Sequence, residues 1–166
     1  RYAVYGASGC GRGILPLVRR QLIDSASGTW DLVFVDDSPS APVVNGHRVL
    51  RYDQWLDEPA AERWATIAIA NGRVRELIAR RCESDAVGFL AARASNVVVM
   101  DDVAIGPGAV LSPFVTVTSN VRIGRHFHAN LYSYVEHDCV IGDFVTFAPS
   151  VHCNGNVTVE DHAYIG

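Results

Sequence analysis

Apolar residues recur at every sixth position along the second half of the chain, starting at Val99. The inward-facing residues predicted by this register are Val99, Ile105, Leu111, Val117, Ile123, Ala129, Val135, Ile141, Phe147, Cys153, Val159 and Ile165. The positions two residues earlier are also small or apolar, and Ser133 is their one polar member. A six-residue period is typical of a parallel β-helix, in which three hexapeptides form one triangular coil. The pattern therefore predicts a β-helix over residues 97–166.

In the first half, short apolar runs alternate with segments of helical periodicity. The predicted order is a strand in "RYAVYG", a glycine loop in "GASGCGRG", a helix in "ILPLVRRQLI", a strand in "WDLVFVDD", a short helix near Asp53–Arg63, a strand in "ATIAIAN" and a helix from about Gly72 to Cys82. Pro16 is expected in or near the first turn of the first helix, where its missing N–H costs little. The alternation predicts a small parallel sheet of Rossmann type over residues 1–93.

The glycine loop has two interpretations. Its glycines, Gly6, Gly9 and Gly11, do not have the G-x-G-x-x-G spacing, so the loop is explained by a tight turn between strand and helix. Alternatively, it is half of a Rossmann site for a phosphorylated or nucleotide-linked ligand, with the helix N-terminus facing the anion. Asp36 and Asp37 end the next strand, at the sheet edge where such ligands bind.

Composition and charge narrow the possible functions. The chain is 49% hydrophobic, yet it has no apolar run long enough to predict a membrane span and no signal-peptide pattern. All 14 basic residues are arginine, which excludes Schiff-base and P-loop lysine chemistry within this sequence. The net charge is −4, and from residue 97 onward acids outnumber arginines, so a nucleic-acid surface is not expected there. The four cysteines have no C-x-x-C or zinc spacing, which favours free, mostly buried thiols in a cytoplasmic protein.

Histidines supply the candidate chemistry of the β-helix. The histidines of the repeat are His126, His128, His137, His152 and His162. They are expected to face solvent, and most of them are expected to be inert. His137 differs because it follows an inward position by two residues and is flanked by Glu136 and Asp138, either of which can orient its ring. Asn130, seven residues earlier, is a further polar candidate. The pair His126-x-His128 suggests a metal site, but no third ligand is evident.

Five motifs together resemble a known family. They are "YGASGCG" at 5–11, "FVDD" at 34–37, "IAIAN" at 67–71, Asn130 followed by "HDCVIGDF", and "CNGNVTVEDHAYIG" at 153–166. With them the chain resembles the bacterial sugar O/N-acyltransferases of the left-handed β-helix superfamily, which include nucleotide-amino-sugar N-acetyltransferases and sialic acid O-acetyltransferase-like proteins. Family members continue for several more coils, so the chain is expected to be truncated at its C-terminus, and its start at Arg1 is expected to be trimmed as well.

The resemblance implies a set of roles. His137 is the general base, Asp138 orients it, and acetyl-CoA lies between the subunits of a homotrimer near the backbone of Gly155. The residues expected to meet the nucleotide-linked sugar are Ser8, Gly9, Cys10, Asp36, Asp37 and Asn130. Two positions depart from the family pattern: Cys10 stands where many members have histidine, and Ala70 replaces a glycine.

The predicted function is acetyl-CoA-dependent acetylation of the amine, or hydroxyl, of a nucleotide-linked sugar in bacterial surface-glycan biosynthesis. Histidine would act as general base, with direct attack on the thioester and no metal. One alternative is a non-catalytic β-helix scaffold that binds sugar nucleotides. Another is a β-helix zinc enzyme, which requires three converging histidines.

Overall fold

A six-stranded sheet forms the first unit of the computed structural model, which describes residues 1–25 and 28–166. Its strands are β1 (Tyr2–Tyr5), β2 (Leu32–Val35), β3 (Val43–Val44), β4 (His47–Leu50), β5 (Trp64–Ile67) and β6 (Gly88–Phe89). Three helices connect them: α1 (Gly9–Ser25), α2 (Tyr52–Asp57) and α3 (Gly72–Ser84). The strand order is β3-β4-β2-β1-β5-β6, and all neighbours are parallel except the β3–β4 pair. The segments after β1, β2 and β5 therefore meet at one edge of the sheet.

Helix α1 begins earlier than the sequence pattern predicts. Gly9 and Gly11 lie inside the helix rather than in a loop, and Pro16 is in the helix interior, so the position predicted for Pro16 is wrong. Glycine is needed inside the helix because its first turn packs closely on the end of β1, where a Cβ on Gly11 would overlap the carbonyl oxygen of Gly6. Gly6 itself has a φ of 110°, a backbone conformation that favours glycine. Pro16 leaves one helical hydrogen bond unmade, yet the helix continues past it.

Two other local predictions need correction. Helix α2 ends at Asp57, not at Arg63, because Pro59 follows and Glu58 is already extended. The segment before α2 contains a β-hairpin that the sequence pattern does not predict. Its two-residue turn is Asn45-Gly46, with φ angles of 48° and 78°, the combination that matches the twist of paired strands.

The second unit is a β-helix of two-residue strands, which confirms the prediction from the six-residue period. The strands are β7 (Ala92–Arg93), β8 (Val98–Val99), β9 (Ala104–Ile105), β10 (Val110–Leu111), β11 (Thr116–Val117), β12 (Arg122–Ile123), β13 (His128–Ala129), β14 (Tyr134–Val135), β15 (Val140–Ile141), β16 (Thr146–Phe147), β17 (His152–Cys153), β18 (Thr158–Val159) and β19 (Tyr164–Ile165). The predicted inward residue is the second residue of every strand from β8 onward, and these residues form the core of the unit.

Three parallel sheets form the sides of this β-helix. Wall 1 contains β7, β10, β13, β16 and β19, wall 2 contains β8, β11, β14 and β17, and wall 3 contains β9, β12, β15 and β18. Each strand pairs with the third strand after it in the chain, for example Val117 of β11 with Val135 of β14 and Ile123 of β12 with Ile141 of β15. One coil of the β-helix is therefore three hexapeptides long.

The corners between walls follow a second six-residue pattern, in backbone conformation. At every sixth residue φ lies between 52° and 72°, at Asp102, Gly108, Phe114, Asn120, His126, Tyr132, Asp138, Phe144, Ser150, Asn156 and His162. Side chains at these positions stack in three columns. The polar corner (Asp102, Asn120, Asp138, Asn156) joins walls 2 and 3, the docked corner (Gly108, His126, Phe144, His162) joins walls 3 and 1, and the aromatic corner (Phe114, Tyr132, Ser150) joins walls 1 and 2. Left-handed backbone is unfavourable for residues other than glycine, so the neighbouring coils hold it in place.

The docked corner and wall 1 are covered by the α/β unit. The ring of His126 stacks on Phe144 with centroids 5.1 Å apart and meets Phe89 edge-on at 4.4 Å. His126 is fully buried and His128 is 5% exposed, so the expectation that these two histidines face solvent is wrong. His137 and His152 are exposed as expected. In the described part of the chain, no helix is long and apolar enough to cross a membrane.

Candidate active site

His137 and Asp138 form a hydrogen-bonded pair at the polar corner. Nδ1 of His137 lies 2.8 Å from Oδ2 of Asp138, and the other carboxylate oxygen, Oδ1, accepts a bond of 3.2 Å from the amide of Asn120. Because a carboxylate only accepts, Nδ1 carries the hydrogen, and Nε2 is the nitrogen that has the lone pair in the neutral ring. Asp138 reaches the ring because its φ of 59° turns the chain there, which overrides the alternation expected along a strand. Glu136 makes no side-chain hydrogen bond within the described residues.

The electrostatics of this pair keep its carboxylate ionised. The hydrogen bond from the His137 ring, and then the bond from Asn120, hold the pKa of Asp138 below its usual range. Both side chains of the pair are about half exposed, at 56% and 48%. The ring is therefore oriented by an anionic partner and remains open to a substrate.

Gly155 forms the floor beneath the His137 ring. It occupies the position one coil after His137, and a Cβ there would lie 2.5 Å from Cε1 and 2.7 Å from Nε2 of the ring. The backbone N–H of Asn156 also donates to the carbonyl of His137 at 2.9 Å. Two residues predicted from the family motif thus lie together, and the absence of a side chain at Gly155 leaves the space that the imidazole fills.

Other groups near this corner were missed in the sequence. Asn120 is one, and the signal that identifies it is its position exactly one coil before Asp138, in the same corner column. Tyr134 and Asn154 are two more, since the Tyr134 hydroxyl donates to Oδ1 of Asn154 at 2.9 Å. The Tyr134 ring also stacks on His152 with centroids 4.5 Å apart. This cluster gives the outer face of wall 2 a flat aromatic surface next to His137.

A cavity of about 200 Å³ separates α1 from wall 1. Cys10 and Asn130, both predicted to meet the sugar, line this cavity together. Its other lining residues include Ala70, His128 and Thr146. Burial raises the pKa of the Cys10 thiol and holds the pKa of His128 well below its usual range, so both are neutral near pH 7. The lining is largely apolar, which suits a compact ligand group that Asn130 can orient.

The acidic pair after β2 holds the glycine loop in place. Asp36 accepts hydrogen bonds from the backbone N–H groups of Ala7 and Ser38, both at 3.0 Å. Asp37 accepts from the Tyr5 hydroxyl at 2.7 Å and from Arg81 at 3.0 Å. These bonds bring both aspartates to the same sheet edge as the loop, as the sequence predicts.

An exposed arginine lies at the start of α1, next to Ser8 and Gly9. The Arg12 guanidinium is 3.9 Å from the point where a Cβ of Gly9 would be, and it makes no ion pair in residues 1–25 and 28–166. Ser8 and Gly9 are exposed at the same helix terminus, and the first N–H groups of a helix have no partner within it. Arg12 thus adds positive charge at a helix N-terminus, where an anion is favoured. Sequence reasoning overlooked it because α1 carries two further arginines, Arg19 and Arg20.

The cavity and the His137 pair lie at different corners of one chain. Asn130 follows β13 of wall 1 and precedes the aromatic corner, whereas His137 follows β14 of wall 2 at the polar corner. The width of wall 2 separates them. A single chain therefore does not bring Asn130 to His137.

The structure gives no support to a histidine metal site. His126 is enclosed by Phe89 and Phe144, and neither of its ring nitrogens has a hydrogen-bond partner. Across the described residues, no group of three histidine, cysteine or acidic side chains could hold a metal ion. The four cysteines are unpaired there as well, although the sulfurs of Cys139 and Cys153 are 4.0 Å apart.

A hexapeptide β-helix with an exposed histidine–aspartate pair at its corner, joined to an α/β sheet with a glycine loop, defines an acyltransferase of the hexapeptide-repeat class. No protein-family model matches the chain. It is 44% identical over 165 residues to a GDP-perosamine N-acetyltransferase of Escherichia coli O157:H7, covering 99% of this chain and 75% of the relative. The chain belongs to the family of bacterial sugar N-acetyltransferases with a hexapeptide-repeat β-helix.

Solved structures agree with this assignment. WeeI from Acinetobacter baumannii AYE is 50% identical, with a TM-score of 0.94 over 98% of this chain and 76% of that one. PerB from Caulobacter crescentus, solved in complex with CoA and GDP-perosamine, shares the fold at 22% identity, with a TM-score of 0.85 over 98% of this chain and 75% of that one. The family predicted from the sequence and the enzyme class, an acyltransferase, are confirmed. The predicted substrates, acetyl-CoA and a nucleotide-linked sugar, agree with this membership.

Proposed function

We propose that this enzyme transfers the acetyl group of acetyl-CoA to the amine of a GDP-linked amino sugar of the perosamine type. The observation that carries the proposal is the His137–Asp138 pair, in which Nδ1 is committed to a carboxylate and Nε2 is left as an accessible base. The name of the 44% identical relative supports both the GDP group and amide formation. The reaction belongs to bacterial surface-glycan biosynthesis in the cytoplasm.

His137 acts as the general base. A sugar amine must be unprotonated to attack, and Nε2 of His137 takes a proton from the nitrogen as the new C–N bond forms. The C–S bond of the thioester breaks, and the proton passes from the imidazolium to the departing sulfur. Asp138 stays ionised throughout and stabilises the positive ring. No covalent acyl-enzyme is needed, so the cysteines have no role in this step.

The nucleotide binds at the carboxyl edge of the sheet, in a Rossmann-like unit. Ser8, Gly9 and Cys10 surround its diphosphate at the N-terminus of α1, where free N–H groups and the helix dipole favour an anion. Arg12 adds a guanidinium suited to phosphate oxygens. Asp36 and Asp37 lie beside the ribose and base. From this position the sugar extends toward the cavity lined by Cys10 and Asn130.

The working enzyme is a homotrimer with left-handed coils. Its support is the separation of Asn130 and His137 at the two ends of wall 2, since one chain alone leaves the acceptor cavity and the base apart. Packing three β-helices side by side brings the cavity of one protomer to the polar corner of its partner. Acetyl-CoA then lies along the groove between them, next to the backbone of Gly155.

A thiol-release assay tests this function directly. Purified enzyme is given acetyl-CoA with GDP-perosamine, with UDP-, dTDP- and CMP-linked amino sugars, and with GDP-mannose, which has no amine. CoA release and an added acetyl mass are expected with GDP-perosamine and not with GDP-mannose. His137→Ala should lower kcat about 100-fold to 10,000-fold. Equal release by enzyme and variant over the whole panel would instead favour the non-catalytic scaffold.

A further inference from the structure

Arg75 of α3 is a fully buried arginine that contacts no carboxylate in the described parts of the chain. Its guanidinium makes five hydrogen bonds to backbone carbonyls. Nε donates to His126 at 3.0 Å, Nη1 to Ile69 at 2.6 Å and Ala70 at 3.1 Å, and Nη2 to Phe144 at 2.7 Å and Val145 at 3.2 Å. All three nitrogens of the planar guanidinium thus donate hydrogen bonds.

These bonds are unusual because no carboxylate of the described residues balances the charge. Burial lowers the pKa of Arg75 to about 10, so the group is still a cation at neutral pH. A buried charge is costly, and an apolar side chain of similar volume would fill the same space without that cost. What an apolar residue would lack is direction, since the guanidinium fixes the angle and distance of every carbonyl it meets.

These carbonyls belong to two parts of the structure, and the proposed reaction requires a fixed position of one relative to the other. Those of His126 and of Phe144 and Val145 belong to successive coils of the docked corner. Those of Ile69 and Ala70 belong to the segment after β5, which borders the nucleotide site. Thr146 of wall 1 also donates to the carbonyl of Ala70, at 2.8 Å.

The segment after β5 is in direct contact with the glycine loop. A Cβ on Gly6 would lie 3.0 Å from the carbonyl oxygen of Ala68 and from Cδ1 of Ile69. Ala70 itself lines the cavity, together with Cys10 and Asn130. A shift of this segment would therefore move one wall of the cavity and the loop that carries the nucleotide.

We infer that Arg75 is a positioning residue for the acetyl transfer: through Ile69 and Ala70 it sets the acceptor cavity relative to the β-helix. The inference rests on the proposed function, and it requires no contact between Arg75 and a substrate. Small misplacements of reacting groups are costly in rate, so loss of the fork should impair catalysis beyond any loss of stability.

The test compares Arg75→Lys and Arg75→Met with wild type and with Arg80→Met. Arg80 is a matched control, an exposed arginine on the same helix paired with Glu76. With saturating acetyl-CoA, both Arg75 variants should lower kcat/KM for GDP-perosamine at least tenfold. Their Kd for GDP alone, measured by calorimetry, should stay within twofold, because the glycine loop and the segment after β5 belong to one sheet and shift together relative to the β-helix. Arg80→Met should change neither value.

Thr146→Val provides a second variant if the Arg75 variants do not fold. It removes the other bond to Ala70 and keeps the volume of a side chain that also lines the cavity, so it should lower the same kcat/KM by a smaller factor, with GDP affinity unchanged. A lowered melting temperature with unchanged KM and kcat would overturn the positioning role and leave the proposed function standing. An equal loss of GDP affinity would overturn it too. Wild-type enzyme without turnover would overturn both proposals.

Discussion

The imidazole of His137 lies against the backbone of Gly155, one coil further along the β-helix, with room for a hydrogen and no more. A methyl group at Gly155 would approach Cε1 of the ring to 2.5 Å and Nδ1 to 3.0 Å. Gly155 is not in the left-handed backbone region, so its lack of a side chain serves the ring and not the turn. The bond between Nδ1 and Asp138 therefore depends on a glycine in the next coil.

Gly155→Ala should lower kcat with little change in stability. The new methyl displaces the His137 ring and breaks its bond to Asp138, and a displacement of about 1 Å at a reacting group costs about 100-fold in rate. The melting temperature should change little because the exposed ring can move aside. Activity is measured by thiol release and stability by thermal unfolding.

Gly142→Ala is the matched control for that substitution. Gly142 lies at a corner of the same β-helix, but a Cβ there would be 2.7 Å from the backbone nitrogen of Asp161 in the next coil. The backbone cannot move aside as a side chain can, so this variant should lose stability while His137 keeps its surroundings. A large loss of stability in Gly155→Ala and none in Gly142→Ala would contradict this account.

Asp138→Asn should reduce kcat at least about 100-fold, because the amide cannot hold the His137 ring in the same tautomer or stabilise its charged form. Asparagine tolerates the left-handed backbone of this position, so the fold should be unaffected. Glu136→Gln removes the other flanking carboxylate and should be nearly neutral. Steady-state kinetics of both variants discriminate the two carboxylates, and a larger loss in Glu136→Gln would reverse their assignment.

Burial of His126 should make the fold sensitive to acid. Desolvation lowers the pKa of His126 to about 4, whereas an unfolded histidine titrates near 6.5. Above pH 6.5 the ring is neutral in both states, so its contribution is fully present; as pH falls from 6.5 to 4, only the unfolded chain gains the proton and stability is lost. The loss from this residue is about 3 kcal/mol by pH 4.

His126→Phe should reduce this pH dependence, and buried His128 should account for part of what remains. Phenylalanine keeps the ring stack, and Phe144 occupies the equivalent position one coil later with the same left-handed backbone. Urea unfolding at pH 7, 6, 5 and 4 gives the free energy of unfolding of the variant and of wild type. His152→Gln, at an exposed histidine, is the control and should retain the wild-type slope. A slope in His126→Phe equal to wild type would contradict the prediction.

Two glycines of α1 should respond in opposite ways to alanine. At Gly13 a Cβ meets nothing within 4 Å, so Gly13→Ala should stabilise the helix by about 0.5–1 kcal/mol. At Gly11 the Cβ overlaps the carbonyl oxygen of Gly6, so Gly11→Ala should cost about 3 kcal/mol by overpacking. Chemical denaturation of the two variants measures the difference. Equal effects would show that α1 does not pack on the end of β1 as described.

The features that could be predicted from the sequence are those that follow from the periodic burial of apolar residues. Val135 and Ile141 were identified because an inward column admits only apolar residues, and His137 was identified because it falls outside that column. The burial of His126 and His128 was not foreseen, since the outer face of a β-helix wall carries no pattern that reveals which distant segment covers it. The glycines of α1 misled for another reason: Gly11 serves close packing on Gly6, and in the sequence this looks the same as a loop. Asn120 could have been predicted as a neighbour of Asp138, because it stands one coil of 18 residues before it.

The three corner columns make the β-helix sensitive to the size of an insertion. One added hexapeptide would preserve the apolar core, because the inward period is six, but everything after it would be rotated by one wall. Asp138 would then stand where Phe144 now packs against the α/β unit, and the His137–Asp138 pair would leave the polar corner. Only an insertion of three hexapeptides, one full turn of the prism, leaves each column on its own corner. An insertion therefore keeps every corner in place only if it adds whole coils of three hexapeptides. The hydrophobic core alone would tolerate one or two added hexapeptides.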